Sequence, residues 1–385
     1  MRTVRHGDAG PAVAEIRAIL AELDLLAVGR DAPADRFDDA TVQAVRAFQQ
    51  ARGLTVDGQV TEETWRALAA ARWHLGARTL YQSIDDPLVG DDIHQLQERL
   101  LELGYDPGRP DGVYGARTAG AVARFQRESG LRPDGSCGPA TLHALRRLGR
   151  KVVGGRPLWL REAEWFRARG PALVGKRVVV DPGHGGPDPG VTVVHGRRRW
   201  AEADLAWDLA ARVEGRLAAA GVQTYLTRGP RPDGEVPAAA RAALANELAA
   251  DLVVSLHVDG HASPAAEGVA AYHYGDPRGA TSTVGERLAG LVQREIVART
   301  GMRDCRTHGR TWELLRMTRM PAVRVEVGYL TSPADRARLV DPRFRDTVAD
   351  AVVAATQRMY YPVEEDVATG TLDVAALRRD LASSR

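Results

Sequence analysis

An internal repeat is the feature that most restricts how this chain can fold. Residues 41–68 (TVQAVRAFQQARGLTVDGQVTEETWRAL) align without a gap with residues 118–145 (TAGAVARFQRESGLRPDGSCGPATLHAL). The shared positions include Phe48/Phe125, Gln49/Gln126, Asp57/Asp134, Gly58/Gly135, Thr64/Thr141 and Leu68/Leu145. Apolar residues at helical spacing, interrupted by Gly and Asp-Gly, predict two helices joined by turns in each copy. A further helix precedes each copy, at 12–23 and at 93–103, so the repeat predicts two small three-helix modules.

The length of the chain, 385 residues, calls for several domains, because single cores stop growing near ~250 residues. After Lys176, short β-rich runs alternate with longer amphipathic stretches, which predicts an α/β domain with a mostly parallel sheet flanked by helices. The predicted domains are the first repeat (1–75), the second repeat (76–150), a linker with one short helix (151–175), the α/β domain (176–361) and a C-terminal tail (362–385).

Within the α/β domain, the strands are predicted at 177–181, 222–227, 252–257, 269–274 and 322–327. Helices are predicted at 201–220, 237–250, 284–300 and 341–360. The helix at 201–220 illustrates the pattern, because its apolar residues recur every four positions and form one stripe for packing on the sheet.

Charge and cysteine content exclude several functions. The 52 basic and 50 acidic residues give a net charge of +2, so neither a nucleic-acid partner nor an anionic membrane is predicted. Cys137 and Cys305 lie far apart and indicate neither a thiolate metal cluster nor a disulfide framework. The first residues lack the pattern of a signal peptide, and no apolar run approaches ~18 residues. The sequence as written therefore predicts a cytoplasmic protein without a transmembrane segment.

Polar residues lie at the carboxyl ends of three predicted strands, where open α/β sheets bind ligands. The strand VVVD leads into a Gly-rich loop that carries His184, and the strand LVVSLH ends at His257. The strand VRVEVGYL contains Glu326, which would be costly to bury without a partner. Glu202 and Asp204 lie near the start of the helix after the first loop, where the helix dipole alone also favours a carboxylate.

Catalytic zinc needs about three nitrogen or oxygen ligands and an open position for water. Two histidines and one glutamate meet this need, and a second carboxylate can take a proton from the water as it attacks a carbonyl. Taken singly, each of these residues is more often structural, since a histidine at the end of a strand usually binds no metal. The ligands are scattered along the chain, so their spacing alone does not define a site.

The sequence resembles two known families. The FQ, GL and DG pattern with its closing Thr and Leu resembles the peptidoglycan-binding domain 1 family over roughly residues 5–150. From about 176 to 360, the motifs VVVDPGHGGPDPG, EADLAWDLA, ADLVVSLHVDGH and MPAVRVEVGYLTSPAD resemble, in order, amidase family 3, the zinc-dependent N-acetylmuramoyl-L-alanine amidases. The resemblance implies that His184, Glu202 and His257 bind Zn²⁺ and that Glu326 is the catalytic base.

The chain departs from the amidase pattern near these residues. Val258 and Asp259 follow the third-motif His, where family members often carry Asn, and Ala203 replaces the usual Lys after Glu202. The segment HGRRRW (195–200) adds basic residues that can bind a stem-peptide carboxylate, although a solvated loop is the simpler prediction. His261, His273 and His308 match no ligand of the family.

The sequence therefore predicts a zinc-dependent enzyme that cleaves the amide bond between N-acetylmuramic acid and L-alanine, with repeats that bind peptidoglycan. The predicted partners are peptidoglycan or muropeptides. A protein of cell-wall synthesis is a further candidate partner. The alternative is a cytoplasmic regulatory protein that senses wall precursors with little or no hydrolysis. A cell-wall location follows only if the protein is exported by another route or if the start is incomplete.

Overall fold

The chain forms two compact units, Met1–Leu160 and Arg161–Arg385, in a computed structural model. The structure describes residues 3–27, 35–83, 85–148, 157–170, 172–263, 265–275, 281–360 and 369. Residues 151–156 of the predicted linker, and all of the predicted tail except Thr369, lie outside the described residues. The domain boundaries given above stay predictions.

The first unit contains both copies of the repeat, and each copy has three helices. The first copy has α1 (Pro11–Glu22), α2 (Asp39–Arg52) and α3 (Glu62–Ala71), and the second has α4 (Asp91–Glu102), α5 (Ala116–Glu128) and α6 (Pro139–Arg147). Phe48 and Phe125 are buried at the same position of the two copies. The predicted three-helix modules are confirmed.

A buried glutamine explains why the repeat preserves the polar pair Asp-Gly. The Gln126 amide nitrogen donates hydrogen bonds to Asp134 Oδ1 (2.8 Å) and to Thr141 Oγ1 (2.9 Å), while its Oε1 accepts one from Gly135 N (2.9 Å). Gln49 makes the same contacts with Asp57, Gly58 and Thr64 in the first copy. The turn needs glycine because Gly58 and Gly135 have φ near +76° and +71°. These shared residues therefore hold the turn between two helices.

The second unit is built around a six-stranded sheet with the strand order β4-β1-β5-β8-β6-β7. The strands are β1 (Arg177–Pro182), β4 (Gln223–Leu226), β5 (Leu252–Asp259), β6 (Val269–Tyr274), β7 (Asp304–Arg310) and β8 (Ala322–Tyr329). Helix α7 (Pro157–Ala168) begins before the division at Leu160 and ends in the second unit. The other helices of this unit are α8 (Glu202–Ala219), α9 (Ala238–Glu247), α10 (Thr283–Thr300), α11 (Glu313–Met317), α12 (Pro333–Leu339) and α13 (Pro342–Arg358). A separate hairpin pairs β2 (Thr192–His195) with β3 (Arg198–Ala201).

Helices cover both faces of the sheet because the side chains of each strand alternate between the faces. Val178 and Val180 of β1 belong to the core cluster that includes residues of α8, α10 and α13, whereas Val179 belongs to a second cluster that includes residues of α9 and α11. Strands β4, β1, β5 and β8 are parallel, so their carboxyl ends meet at one edge. The predicted α/β fold with a mostly parallel sheet is confirmed, although β6 runs antiparallel to β8. None of the helices among the described residues is long and apolar enough to cross a membrane.

Several elements were not predicted from the sequence, namely the β2–β3 hairpin, strand β7 and the short helices α11 and α12. The segment 195–200 is part of the β2–β3 hairpin and not an irregular loop, because Gly196 (φ +64°) allows a tight turn between paired strands. Its basic side chains are exposed, as a solvated segment requires. Strand β7 has the polar sequence DCRTHGR, which lacks apolar alternation because the strand pairs only with β6 at the sheet edge.

Candidate metal centre

Three predicted ligands meet at the carboxyl edge of the sheet. His184 lies in the loop after β1, Glu202 is the first residue of α8, and His257 lies near the end of β5. Their ligand atoms all lie within 4.8 Å of one another. His184 has a left-handed backbone (φ +55°), a strained conformation for a residue with a side chain, and this conformation turns the imidazole towards Glu202.

The Glu202 carboxylate lies between the two imidazoles. Its Oε1 is 3.0 Å from His184 Nε2 and 3.0 Å from His257 Nδ1. Its Oε2 accepts a hydrogen bond from Val191 N at 3.1 Å. Burial opposes ionisation of Glu202, but the hydrogen bonds from the two histidines outweigh it and hold the pKa of this carboxyl well below its usual range. The group therefore carries the negative charge that a metal ligand needs.

The two histidines differ in their surroundings. Burial, with the positive charge of Arg324, lowers the pKa of His257 to about 4, so this imidazole is neutral at pH 7, as a metal ligand must be. Burial also disfavours the charged form of His184, but Glu202 and Asp188 outweigh it and raise the pKa of His184. Asp188 Oδ2 lies 2.6 Å from His184 Nδ1, the arrangement by which a carboxylate orients a ligating imidazole. Metal binding at His184 would displace its proton.

The donor set fits zinc. Two imidazoles and one carboxylate form one of the common ligand sets of catalytic zinc, with a fourth position left for water or substrate. Neither cysteine belongs to this group of possible ligands among the described residues. His184, Glu202 and His257 can therefore hold a zinc ion through one atom each.

Glu326 lies beside this cluster on β8, paired in register with His257 of β5. Its Oε1 accepts hydrogen bonds from Arg324 Nε (2.8 Å) and Nη2 (2.6 Å). Its Oε2 is buried and has no hydrogen-bond partner among the described residues. Burial raises the pKa of Glu326 to about 7, and Arg324 opposes the rise while Asp259 and Glu202 add to it. A carboxyl with such a pKa can both accept and donate a proton near neutral pH.

Arg324 was not predicted as a site residue. It lies two residues before Glu326, so both side chains project from the same face of β8. Its guanidinium lies over the Trp312 ring at 4.5 Å from the centroid, and Trp312 packs against Tyr272 at 4.6 Å. The period of two along the strand was the available signal, but it does not show that the two side chains form an ion pair.

Two buried arginines hold the loop that carries His184. Arg241 donates to Asp181 Oδ1 (2.7 Å) and to the carbonyls of Pro182 (2.6 Å) and His184 (2.8 Å). Arg228 donates to the carbonyls of Pro182 (3.0 Å) and Gly183 (2.8 Å). Carbonyls of an irregular loop need such donors when they are buried. We call Asp181, Arg228 and Arg241 the loop cradle.

The other histidines stay apart from the cluster. His261 is exposed, and its Nδ1 accepts a hydrogen bond from Ser263 N. His308 lies on β7 beside Tyr272, and His273 is buried on β6. Asp204, the other carboxylate near the start of α8, is exposed. Among the described residues, none of these side chains belongs to the group that could bind a metal ion.

Two family models match residues of this chain. Residues 178–358 match the N-acetylmuramoyl-L-alanine amidase family model, and residues 9–68 and 89–145 match the peptidoglycan binding domain. The chain belongs to the N-acetylmuramoyl-L-alanine amidase family. It is 49% identical over 382 residues to the N-acetylmuramoyl-L-alanine amidase CwlM of Mycobacterium tuberculosis, covering 97% of this chain and 93% of that protein. The resemblance inferred from the motifs is confirmed.

More distant relatives match about half of the chain. The N-acetylmuramoyl-L-alanine amidase LytC of Bacillus subtilis is 29% identical over 188 residues, which cover 49% of this chain and 36% of LytC. The crystal structure of the amidase Ami1 from Mycobacterium smegmatis has 28% sequence identity and a TM-score of 0.43, and the match covers 49% of this chain and 98% of Ami1.

Proposed function

We propose that this protein hydrolyses the amide bond between N-acetylmuramic acid and L-alanine in peptidoglycan, with zinc bound by His184, Glu202 and His257. The observation that carries the proposal is the convergence of these three side chains, within 4.8 Å, beside the buried carboxyl of Glu326. Zinc and the residue roles are the parts of the proposal that go beyond family membership.

In this mechanism, His184, Glu202 and His257 would hold the zinc ion, which would supply Lewis-acid chemistry for polarising the lactyl carbonyl and making water more acidic. Glu326 accepts a proton from the attacking water through Oε2, since Oε1 is engaged by Arg324. Glu326 then passes this proton to the nitrogen of L-alanine as the C–N bond breaks. The products are a glycan with a free lactyl carboxylate and a stem peptide with a free amine. The repeats hold the enzyme on the insoluble polymer and so raise the local substrate concentration.

Removal of the metal tests this proposal directly. Incubation of the zinc-loaded protein with purified muropeptides should release intact stem peptides, identified by mass analysis. Dialysis against a chelator should reduce the rate to background, and added zinc should restore it. Equal rates with and without chelator would contradict zinc dependence, and cleavage at another bond would contradict the proposed substrate bond.

A second candidate is a regulatory, precursor-sensing protein with little or no hydrolase activity. The observation that favours it is the ion pair between Arg324 and Glu326, because it occupies one oxygen of the proposed base. This candidate requires that the pair prevents proton transfer, whereas the hydrolase proposal requires that it orients the carboxylate.

The substitution Arg324→Met separates the two candidates. We expect kcat to fall on the order of tenfold with KM nearly unchanged, because Glu326 loses the contact that directs Oε2 into the site. Added guanidinium should partly restore the rate, and Arg310→Met, which removes a nearby guanidinium that lies over Tyr272, should have little effect. Hydrolysis that appears only in Arg324→Met, and is absent in the parent protein, would instead support the regulatory candidate.

A further inference from the structure

The second repeat has a groove that lies between its first and third helices. The cavity has a volume of about 260 Å³ and lies between α4 and α6. Leu142 and Leu145 contribute apolar surface, while Glu98, Arg99 and Arg146 contribute charges of both signs. The described residues that line the cavity include no aromatic side chain. Its size suits one or two residues of a peptide, since pockets for drug-sized ligands have roughly 300–1,000 Å³.

The corresponding positions of the first repeat are different. The gapless alignment pairs Leu142 with Trp65, and its extension by one residue pairs Arg146 with Ala69. Helices α1 and α4 align through Arg17 and Gln97, which bind the equivalent residues Thr41 and Thr118. This alignment pairs Glu98 with Ala18 and Arg99 with Ile19. Three charged positions around the groove are thus apolar in the first copy, and a tryptophan replaces a leucine of the lining.

The fold does not require these differences. Both copies keep the buried phenylalanine and the glutamine that holds the Asp-Gly turn, so the residues that build the module are shared. Of the groove residues named above, only Leu145 belongs to the shared positions, whereas Glu98, Arg99, Leu142 and Arg146 lie outside them. Arg99 is fixed in place by hydrogen bonds to the carbonyl of Leu145 (3.3 Å) and to Glu102 (2.7 Å), which gives the groove a rigid wall. Arg146 is exposed beside it, and Glu98 is partly exposed and lies 3.4 Å from His94 Nε2.

We propose that this groove of the second repeat binds the stem peptide of peptidoglycan and that the first repeat has no equivalent site. Arg146 matches a peptide carboxylate, and Glu98 matches the amino group of a diamino acid. A sugar would gain little in this groove because it contains no aromatic ring for stacking. The inference deepens the peptidoglycan-binding role given above and rests on that part of it.

Titration calorimetry with the full chain tests the proposal. The probes are a free stem tetrapeptide with a diamino acid at its third position, and glycan strands stripped of peptides, because neither contains the bond proposed to be cleaved. Leu142→Trp installs the residue of the first copy in the groove, and Trp65→Leu is its matched control. We expect Leu142→Trp to weaken tetrapeptide binding at least tenfold and Trp65→Leu to leave it unchanged. The double variant Glu98→Ala/Arg146→Ala should also weaken binding at least tenfold, and its fold should persist because Arg146 is exposed and Glu98 is partly exposed.

The results separate this proposal from the catalytic one. Any binding of the tetrapeptide in the second unit is common to all variants, so the difference between variants reports the groove alone. Unchanged affinity in both Leu142→Trp and the double variant would overturn the proposal, and so would an equal loss in Trp65→Leu. Binding of stripped glycan that Leu142→Trp abolishes would assign the groove to sugar instead. Hydrolysis of small soluble muropeptides should be the same in all variants, and its absence would refute the catalytic proposal only.

Discussion

Glu326→Gln is expected to reduce hydrolysis by about a thousandfold or more while zinc stays bound. A positioned general base contributes roughly 10²- to 10⁴-fold to such reactions, and an amide cannot accept the proton. The variant keeps the size of the side chain and an oxygen that can still accept from Arg324. Glu326 is not one of the three proposed ligands, so the metal content should match that of the parent protein.

Product analysis by mass spectrometry and metal analysis of the same samples check this result. Glu267→Gln is the matched control, because Glu267 is a partly exposed carboxylate outside the proposed centre. Rapid digestion of purified sacculi by Glu326→Gln would show that the assigned base is wrong. Loss of zinc from this variant would show that Glu326 belongs to the ligand set.

Arg241→Met should lower the free energy of unfolding of the second unit by about 3–5 kcal/mol, the usual cost of breaking a buried ion pair. Asp181, only 1% exposed, would retain its contacts with Ser255 and Thr227 but would lose its cationic partner. The carbonyls of Pro182 and His184 would also lose a donor. Because the same loop carries a proposed ligand, we expect weaker zinc binding as well.

Urea unfolding of the metal-free protein and zinc competition against a chelator measure the two effects separately. Arg216→Met is the control, since its ion pairs with Asp346 and Asp350 are partly exposed and such pairs contribute ~0–1 kcal/mol. Arg241→Lys keeps the charge but lacks the planar donor arrangement, and it should give intermediate stability. Equal stability and equal zinc affinity in Arg241→Met and Arg216→Met would refute the role of the loop cradle.

Much of the fold could be predicted because it depends on local patterns. The repeat gave the helical modules, and apolar runs gave the central strands of the sheet. Strand β7 escaped prediction because an edge strand with few apolar residues has no clear period. The β2–β3 hairpin was not predicted because three consecutive arginines next to a single glycine do not resemble paired strands.

The candidate site could be predicted only where its residues belong to ordered motifs. His184, Glu202, His257 and Glu326 were selected in this way, and their roles stay proposals. The loop cradle could not be found, because Asp181 and Arg241 are 60 positions apart and nothing in the sequence pairs them. The alignment shows that both copies share the glutamine at position 126. Only the structure shows that Gln126 forms a hydrogen bond with Asp134.

The junction between the β2–β3 hairpin and α8 restricts how this surface can change. Strand β3 ends at Ala201 and the helix begins at Glu202, so no spacer residue separates the hairpin from the carboxylate. Residues inserted at the turn around Gly196 would lengthen only the tip. Deletion of one residue from β3 would turn the Glu202 side chain to the opposite side. The Glu202 carboxylate would then no longer lie between the imidazoles of His184 and His257. Variation in hairpin length is therefore tolerable at the tip and not at its base.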